Sequence, residues 1–286
     1  MTAEQPAVEH VTSIEGVRLP AILYGTAWKK DATARLVTTA IRLGFRGIDT
    51  ACQPKHYDEA GVGRGVAAAL GPALAREDLY LQTKFTPVPG HDPRRIPYDP
   101  AAPLAEQVAQ SFEASVRNLG TDYVDCLVLH SPLPNPSHAA EVWQAMEELY
   151  RSRRVRQLGI SNCYSLRYLE QLHRTADVKP AVVQNRFYAE TGYDREIRAF
   201  CRDRGIVYQS FWTLTANPQL LAHPQILALG ARHGRTAPQI LFRYLTQRGV
   251  VPLTGTTSEA HMREDLAIFE FALDDAELEA IDALLR

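Results

Sequence analysis

Short apolar, β-branched runs alternate along the chain with longer alanine-rich stretches whose apolar positions recur every three or four residues. The short runs are LPAILYGT (19–26), RGIDT (46–50), LYLQTKF (79–85), DCLVLHS (125–131), QLGISN (157–162), AVVQNRF (181–187), IVYQSFW (206–212) and VVPLTG (250–255). The first spacing predicts buried strands; the second, as in LAEQVAQSFEASVRNLG, predicts amphipathic helices. Strand and helix alternating about eight times imply parallel β-α-β units with right-handed crossovers, the number that closes a (β/α)8 TIM barrel. An open doubly wound sheet would be announced by a glycine fingerprint directly after a strand. Gly61-Val62-Gly63-Arg64-Gly65 lacks that spacing and follows a loop, so these glycines read as helix-start packing. No linker or repeat interrupts the pattern, and one domain over 1–286 is expected. Ahead of it an N-terminal β-hairpin, VEHVTSIEGVRLP, is expected to turn at Glu15-Gly16 and plug one end of the barrel.

Composition narrows the function classes. The formal net charge is −2 and the 31 basic residues form no long run, which argues against a nucleic-acid or anionic-membrane surface. The four cysteines are scattered without a C-x-x-C pair, so neither a zinc site nor a disulfide framework is expected, and no metal. A polar amino terminus without an apolar stretch, and no uncharged run of about 20 apolar residues, leave a cytoplasmic location as the expectation.

Candidate chemistry lies where apolar runs end in polar groups, because barrel active sites sit at the C-terminal ends of the strands. The second run ends in Asp49, the third in Lys84 and the fourth in His130, with Tyr57 in the loop after the second. Each alone has an ordinary structural explanation: a helix cap, a rim charge, a hydrogen-bonded histidine, a loop anchor. Their occurrence at consecutive strand ends makes a shared site the better reading. Two loops are also prominent, the proline-rich segment 85–103 and TLTANPQLLAHPQ after the seventh strand.

IDTA, a tyrosine, E-x-x-V-G, TKF, LVLHSP, GISN, VVQN and a C-terminal R-E-D-L segment, in this order over nearly the whole chain, resemble the aldo-keto reductase superfamily. The resemblance implies a barrel that binds an extended nicotinamide cofactor, and a tetrad matched by Asp49, Tyr57, Lys84 and His130. Tyr57 follows Asp49 by eight positions rather than the usual five, so the loop between them is longer. In such a site a tyrosine donates the proton that carbonyl reduction requires. A lysine cation favours the phenolate, so Lys84 is expected to promote ionisation of Tyr57, with Asp49 holding the lysine. His130 would orient the substrate oxygen.

For the cofactor, the resemblance assigns Ser161, Asn162 and Gln184 to the nicotinamide carboxamide, which suits their hydroxyl and amide groups. Ser-Asn after a strand is also an ordinary helix cap. Phe211 takes the ring-stacking position, with Trp212 as runner-up and Leu214 beyond them. Thr26 lies near the cofactor, and Trp28 is a candidate wall of the substrate pocket. The segment from Gly255 through Thr256, Thr257 and Ser258 to His261, Glu264 and Asp265 is assigned to the adenosine phosphate and adenine. Many relatives carry cations at positions matching Gly255 and His261, and both are missing here. NADPH is the expected cofactor, with NADH as competitor.

The chain closing on Leu284-Leu285-Arg286 without a further loop suggests an open pocket, unless the proline-rich segment with Tyr98 covers it. The expected partner is a small carbonyl compound, for a monomer or weak homo-oligomer. Two rival functions are a Schiff-base lyase using Lys84 and a cofactor-binding regulatory subunit without turnover.

Overall fold

The computed structural model describes residues 8–285. The first seven residues and Arg286, which entered the readings of the amino terminus and the chain end, lie outside the described residues. A two-stranded antiparallel hairpin, β1 (His10–Thr12) and β2 (Arg18–Pro20), precedes the barrel. It turns where expected: Gly16 adopts φ +74° and its N–H donates to the Ser13 carbonyl, a left-handed conformation that glycine adopts without steric cost.

Eight parallel strands follow: β3 (Leu23–Gly25), β4 (Gly47–Asp49), β5 (Tyr80–Phe85), β6 (Cys126–Leu129), β7 (Leu158–Ser161), β8 (Val182–Arg186), β9 (Val207–Phe211) and β10 (Val250–Thr254). They pair in chain order, and β10 closes onto β3. The outer helices are α1 (Thr33–Leu43), α2 (Glu59–Ala69), α3 (Leu104–Leu119), α4 (Pro136–Arg151), α5 (Leu166–Thr175), α6 (Arg195–Arg202), α7 (Pro218–Leu221), α8 (Pro224–His233), α9 (Ala237–Gln247), α10 (Glu259–Leu266) and α11 (Asp275–Leu284). The chain therefore folds as a (β/α)8 barrel behind an N-terminal hairpin, as its periodicity predicted.

The glycines of Gly61-Val62-Gly63-Arg64-Gly65 lie inside α2. A Cβ at Gly63 would collide with the Asn118 carbonyl of α3, and one at Gly65 with the Ala34 carbonyl of α1. They let three helices approach closely, a packing role.

Side chains alternate across each strand with period two, so every second residue enters the barrel. On β5 the inward series is Tyr80, Gln82, Lys84; on β6 it runs Cys126, Val128 and on to His130; on β8 it is Val182, Gln184, Arg186. At the lower end Leu23, Cys126, Val128, Val182, Val207 and Val251 form a dry cluster, with Leu19 of the hairpin buried in it and Val11 and Val17 against it. The hairpin thus seals the end away from the predicted site. All four cysteines are free and buried. Among the described residues, no helix is long and apolar enough to cross a membrane.

Candidate active site

Above the dry layer the barrel interior turns polar. The Lys84 ammonium donates to both Asp49 carboxylate oxygens, at 2.6 and 2.7 Å, and to the Thr50 carbonyl at 2.8 Å. Both side chains of this pair are almost completely buried. A buried charge pair is tolerable only when its hydrogen bonds are filled, and here they are. Asp49 Oδ1 also accepts from Gln82 at 2.7 Å and Gln184 at 2.9 Å. Gln209 accepts from both of those amides and donates to Gln82. A chain of donors continues downward: Tyr80 donates to Gln82, Gln157 donates to Tyr80, and Ser13 of the hairpin donates to Gln157. The carboxylate is held by a network that reaches the far end of the barrel.

A cavity of about 1020 Å³ opens over this layer. Asp49, Tyr57, His130, Ser161, Asn162 and Gln184 line it, as do Trp28, Phe211, Trp212, Leu214, Gly255, Thr256, His261, Glu264 and Asp265. Lys84 lies beneath its floor. The longer loop after β4 does not throw Tyr57 outward. The Tyr57 N–H returns to the Gln53 carbonyl, and the ring stands 5.5 Å from the Lys84 nitrogen and 6.1 Å from the His130 ring.

The electrostatics of Tyr57 differ in sign from the sequence expectation. Burial, and then the Asp49 charge, hold its phenol well above the ordinary value. Lys84, whose nitrogen stands 5.5 Å from the ring, is itself held on both oxygens of that carboxylate. The Tyr57 phenol therefore carries its proton at neutral pH. Burial, and then the charges of Lys84, His91 and His56, hold the His130 imidazole well below its usual value, so it is neutral. Its Nδ1 is 2.7 Å from the Thr86 hydroxyl. A Thr86 O–H donated there leaves Nε2 protonated and free to donate to a ligand oxygen.

Three expected residues stand elsewhere. Thr26 is fully buried, and its hydroxyl donates to the Asp49 carbonyl, outside the cavity lining. Thr257 is exposed away from the lining, and Ser258 caps α10 by accepting from the His261 N–H. The proline-rich segment does not cover the mouth: Tyr98 is buried against Phe85 and His91 and donates to the Thr86 carbonyl.

Several lining groups were not anticipated. The Lys29 ammonium, after β3, donates to the Gly255 carbonyl and has no carboxylate partner among the described residues. Burial lowers its pKa. A cation thus stands beside Gly255 although that position supplies none. Asp265 accepts from Thr254 and is pushed up to about 6 by burial. Gln53, His56 and Arg186 also line the cavity. Gln82 and Arg186 carried a legible signal, since each lies two residues from a selected residue on the same strand face. Lys29 carried none, because a loop contact has no period. Backbone strain marks the same rim: Trp28, Asn162 and Trp212 have φ of 64°, 55° and 56°, and such conformations cluster at ligand sites.

The model of the Aldo/keto reductase family matches residues 21–286. The chain is 30% identical to an uncharacterized oxidoreductase, YtbE, of Bacillus subtilis, covering 94% of this chain and 90% of that protein. It is also 30% identical to a glyoxal reductase of the same organism, over 87% and 82% of the two chains. Among solved structures, an aldo/keto reductase from Brucella melitensis superposes with a TM-score of 0.83 at 26% identity, covering 97% of this chain and all of that one. A Bombyx mori aldo-keto reductase in complex with NADP gives 0.82 at 25% identity, over 96% and 92%. With three polar strand-end groups and a loop tyrosine gathered at one mouth of a closed barrel, and with relatives matched over most of their length, this chain belongs to the aldo/keto reductase family.

Proposed function

We propose that the protein reduces an aldehyde or ketone to an alcohol with NADPH, the proton coming from Tyr57. The observation that carries this is the convergence of a protonated phenol and a neutral imidazole on one cavity above the buried Lys84–Asp49 pair. The residues fit a nicotinamide carboxamide. Both N–H groups of Gln184 are committed to Asp49 and Gln209, which leaves its carbonyl oxygen as an acceptor. Asn162 donates to the His130 carbonyl and to the Ser161 hydroxyl; its amide oxygen, which accepts from Tyr164 only at 3.5 Å, keeps acceptor capacity, while the Ser161 hydroxyl can donate. One donor and two acceptors match the carbonyl and amino group of a carboxamide. Phe211 offers the stacking face, since the Trp212 ring already lies against Arg186 at 4.4 Å.

Bound at this place, a reduced nicotinamide supplies the hydride. The protein's own part is positional and electrostatic. His130 and Tyr57 donate hydrogen bonds to the carbonyl oxygen and polarise it. Tyr57 gives up its proton as charge builds on that oxygen, a general-acid contribution of about 10²–10⁴ in rate. Lys84 and Asp49 fix the floor beneath the phenol. Schiff-base chemistry at Lys84 fits poorly, because its ammonium is spent on three acceptors beneath the cavity.

Lys29, with Thr256 and the start of α10, is the cation we assign to the cofactor phosphates, and it favours NADPH over NADH. The working test is loss of NADPH absorbance that depends on added carbonyl compound. Binding of NADPH without turnover on any aldehyde or ketone would favour a regulatory role. In Lys29→Met, KM for NADPH should rise about five- to tenfold and KM for NADH less, an energy near 1 kcal/mol. Equal effects on both would remove Lys29 from phosphate recognition.

A further inference from the structure

Arg186 is the inward residue at the upper end of β8, two places beyond Gln184 and paired in register with Phe211. Its guanidinium lies 4.4 Å from the Trp212 ring and 5.2 Å from the Tyr188 ring. It makes no ion pair among the described residues, and its Nε–H is buried without an acceptor. A guanidinium that is stacked, partly desolvated and unpaired leaves N–H donors without partners, an unfavourable state unless an acceptor arrives. Arg186 lines the cavity that holds Tyr57 and His130.

We propose that Arg186 binds a carboxylate on the substrate, so that the preferred substrates are oxo acids, anionic aldehydes or ketones. The inference rests on the reductase reading above. The alternative anion is a cofactor phosphate, and the strand order argues against it. Lys29, Thr256 and α10 follow β3 and β10, whereas Arg186 ends β8, with β9 standing between β8 and β10. Two cations in separate sectors divide the work: one faces the phosphate end, the other sits beside the carboxamide-holding Gln184, where the reacting carbonyl must lie. Aromatic contact holds the guanidinium plane while its edge remains available for a bidentate pair with a carboxylate.

The experiment compares pairs that differ in charge but share a skeleton, at two lengths: glyoxylic acid with methyl glyoxylate, and 4-carboxybenzaldehyde with methyl 4-formylbenzoate. For the wild-type enzyme, kcat/KM should favour the acid at least tenfold in one pair. In Arg186→Gln that ratio should fall at least tenfold, through KM more than kcat, and Arg186→Lys should restore part of it. The Kd for NADPH, read by quenching of protein fluorescence, should change by less than threefold. An unchanged acid-to-ester ratio overturns the assignment while leaving the reductase function standing. A Kd for NADPH weakened tenfold with a constant ratio transfers Arg186 to the cofactor. Failure of the wild-type enzyme to reduce any member of either pair, or any other carbonyl, overturns both readings together.

Discussion

The two ends of the barrel interior are built by the same strands and do opposite work. At the lower end Leu23, Val128, Val182, Val207 and Val251 exclude water under the hairpin. One inward step higher, on β8 and β9, Gln184 and Gln209 join Gln82 and Asp49 in a network of hydrogen bonds. One step higher again stand Lys84, His130, Arg186 and Phe211. A displacement of two residues along a strand separates what holds the barrel from what it can do. The lower layer needs only volume and dryness. The upper layer needs each donor to find its acceptor, and its few groups left open, at Gln184, His130, Lys29 and Arg186, face the cavity.

Removing one partner of the buried pair should break the contrast most severely. Lys84→Met leaves the Asp49 charge buried and uncompensated, a loss of about 3–5 kcal/mol. Carbonyl-dependent NADPH oxidation should fall at least a thousandfold, measured alongside a denaturant titration. Near-normal stability in that variant would mean that the layer reorganises around a protonated Asp49.

Next comes the lower layer. Leu23→Ala opens a cavity among fully buried neighbours, and should cost about 2–5 kcal/mol. Its kcat should stay within a few-fold of the parent at temperatures where the fold survives. A large loss of kcat with intact structure would show that the two ends are not separable, with Ser13, Gln157 and Tyr80 as the linking chain.

The smallest effect is expected from pH. Tyr57 is raised, so it keeps its proton past the ordinary phenol value; His130 is lowered, so it stays neutral below the ordinary imidazole value. The pH profile of kcat/KM for reduction should therefore be flat between about 6.5 and 10, the two unperturbed values. A basic limb near neutrality would show that Lys84 does acidify the phenol in the free enzyme.

Most of the fold was legible because a parallel barrel writes itself in alternating periods, and each inner strand is short and apolar. Asp49, Lys84 and His130 were legible as polar residues ending apolar runs, and Tyr57 through the resemblance of its loop; the structure gathers all four at one mouth. What escaped was set by partners far away in sequence. Thr26 has the hydroxyl expected of a cofactor contact, yet Asp49 consumes it. The sign of the Tyr57 shift is set first by burial and then by the Asp49 charge, and the depth at which a loop residue comes to rest is not written in its spacing. Tyr98 sits in a turn-rich segment that reads as solvent-facing, and packing on Phe85 draws it inward. Arg186 lies two residues beyond Gln184 on the same strand face, but only the three-dimensional surroundings show that its guanidinium has no ion-pair partner among the described residues and that its Nε–H is buried without an acceptor.

The account depends most on a single hydroxyl. In Tyr57→Phe, single-turnover oxidation of bound NADPH by a reactive aldehyde should slow by about 10²–10⁴, the contribution of one positioned acid, while the dissociation constant for NADPH stays within threefold. Oxidation at the parental rate would contradict it and place the proton donor elsewhere in the cavity.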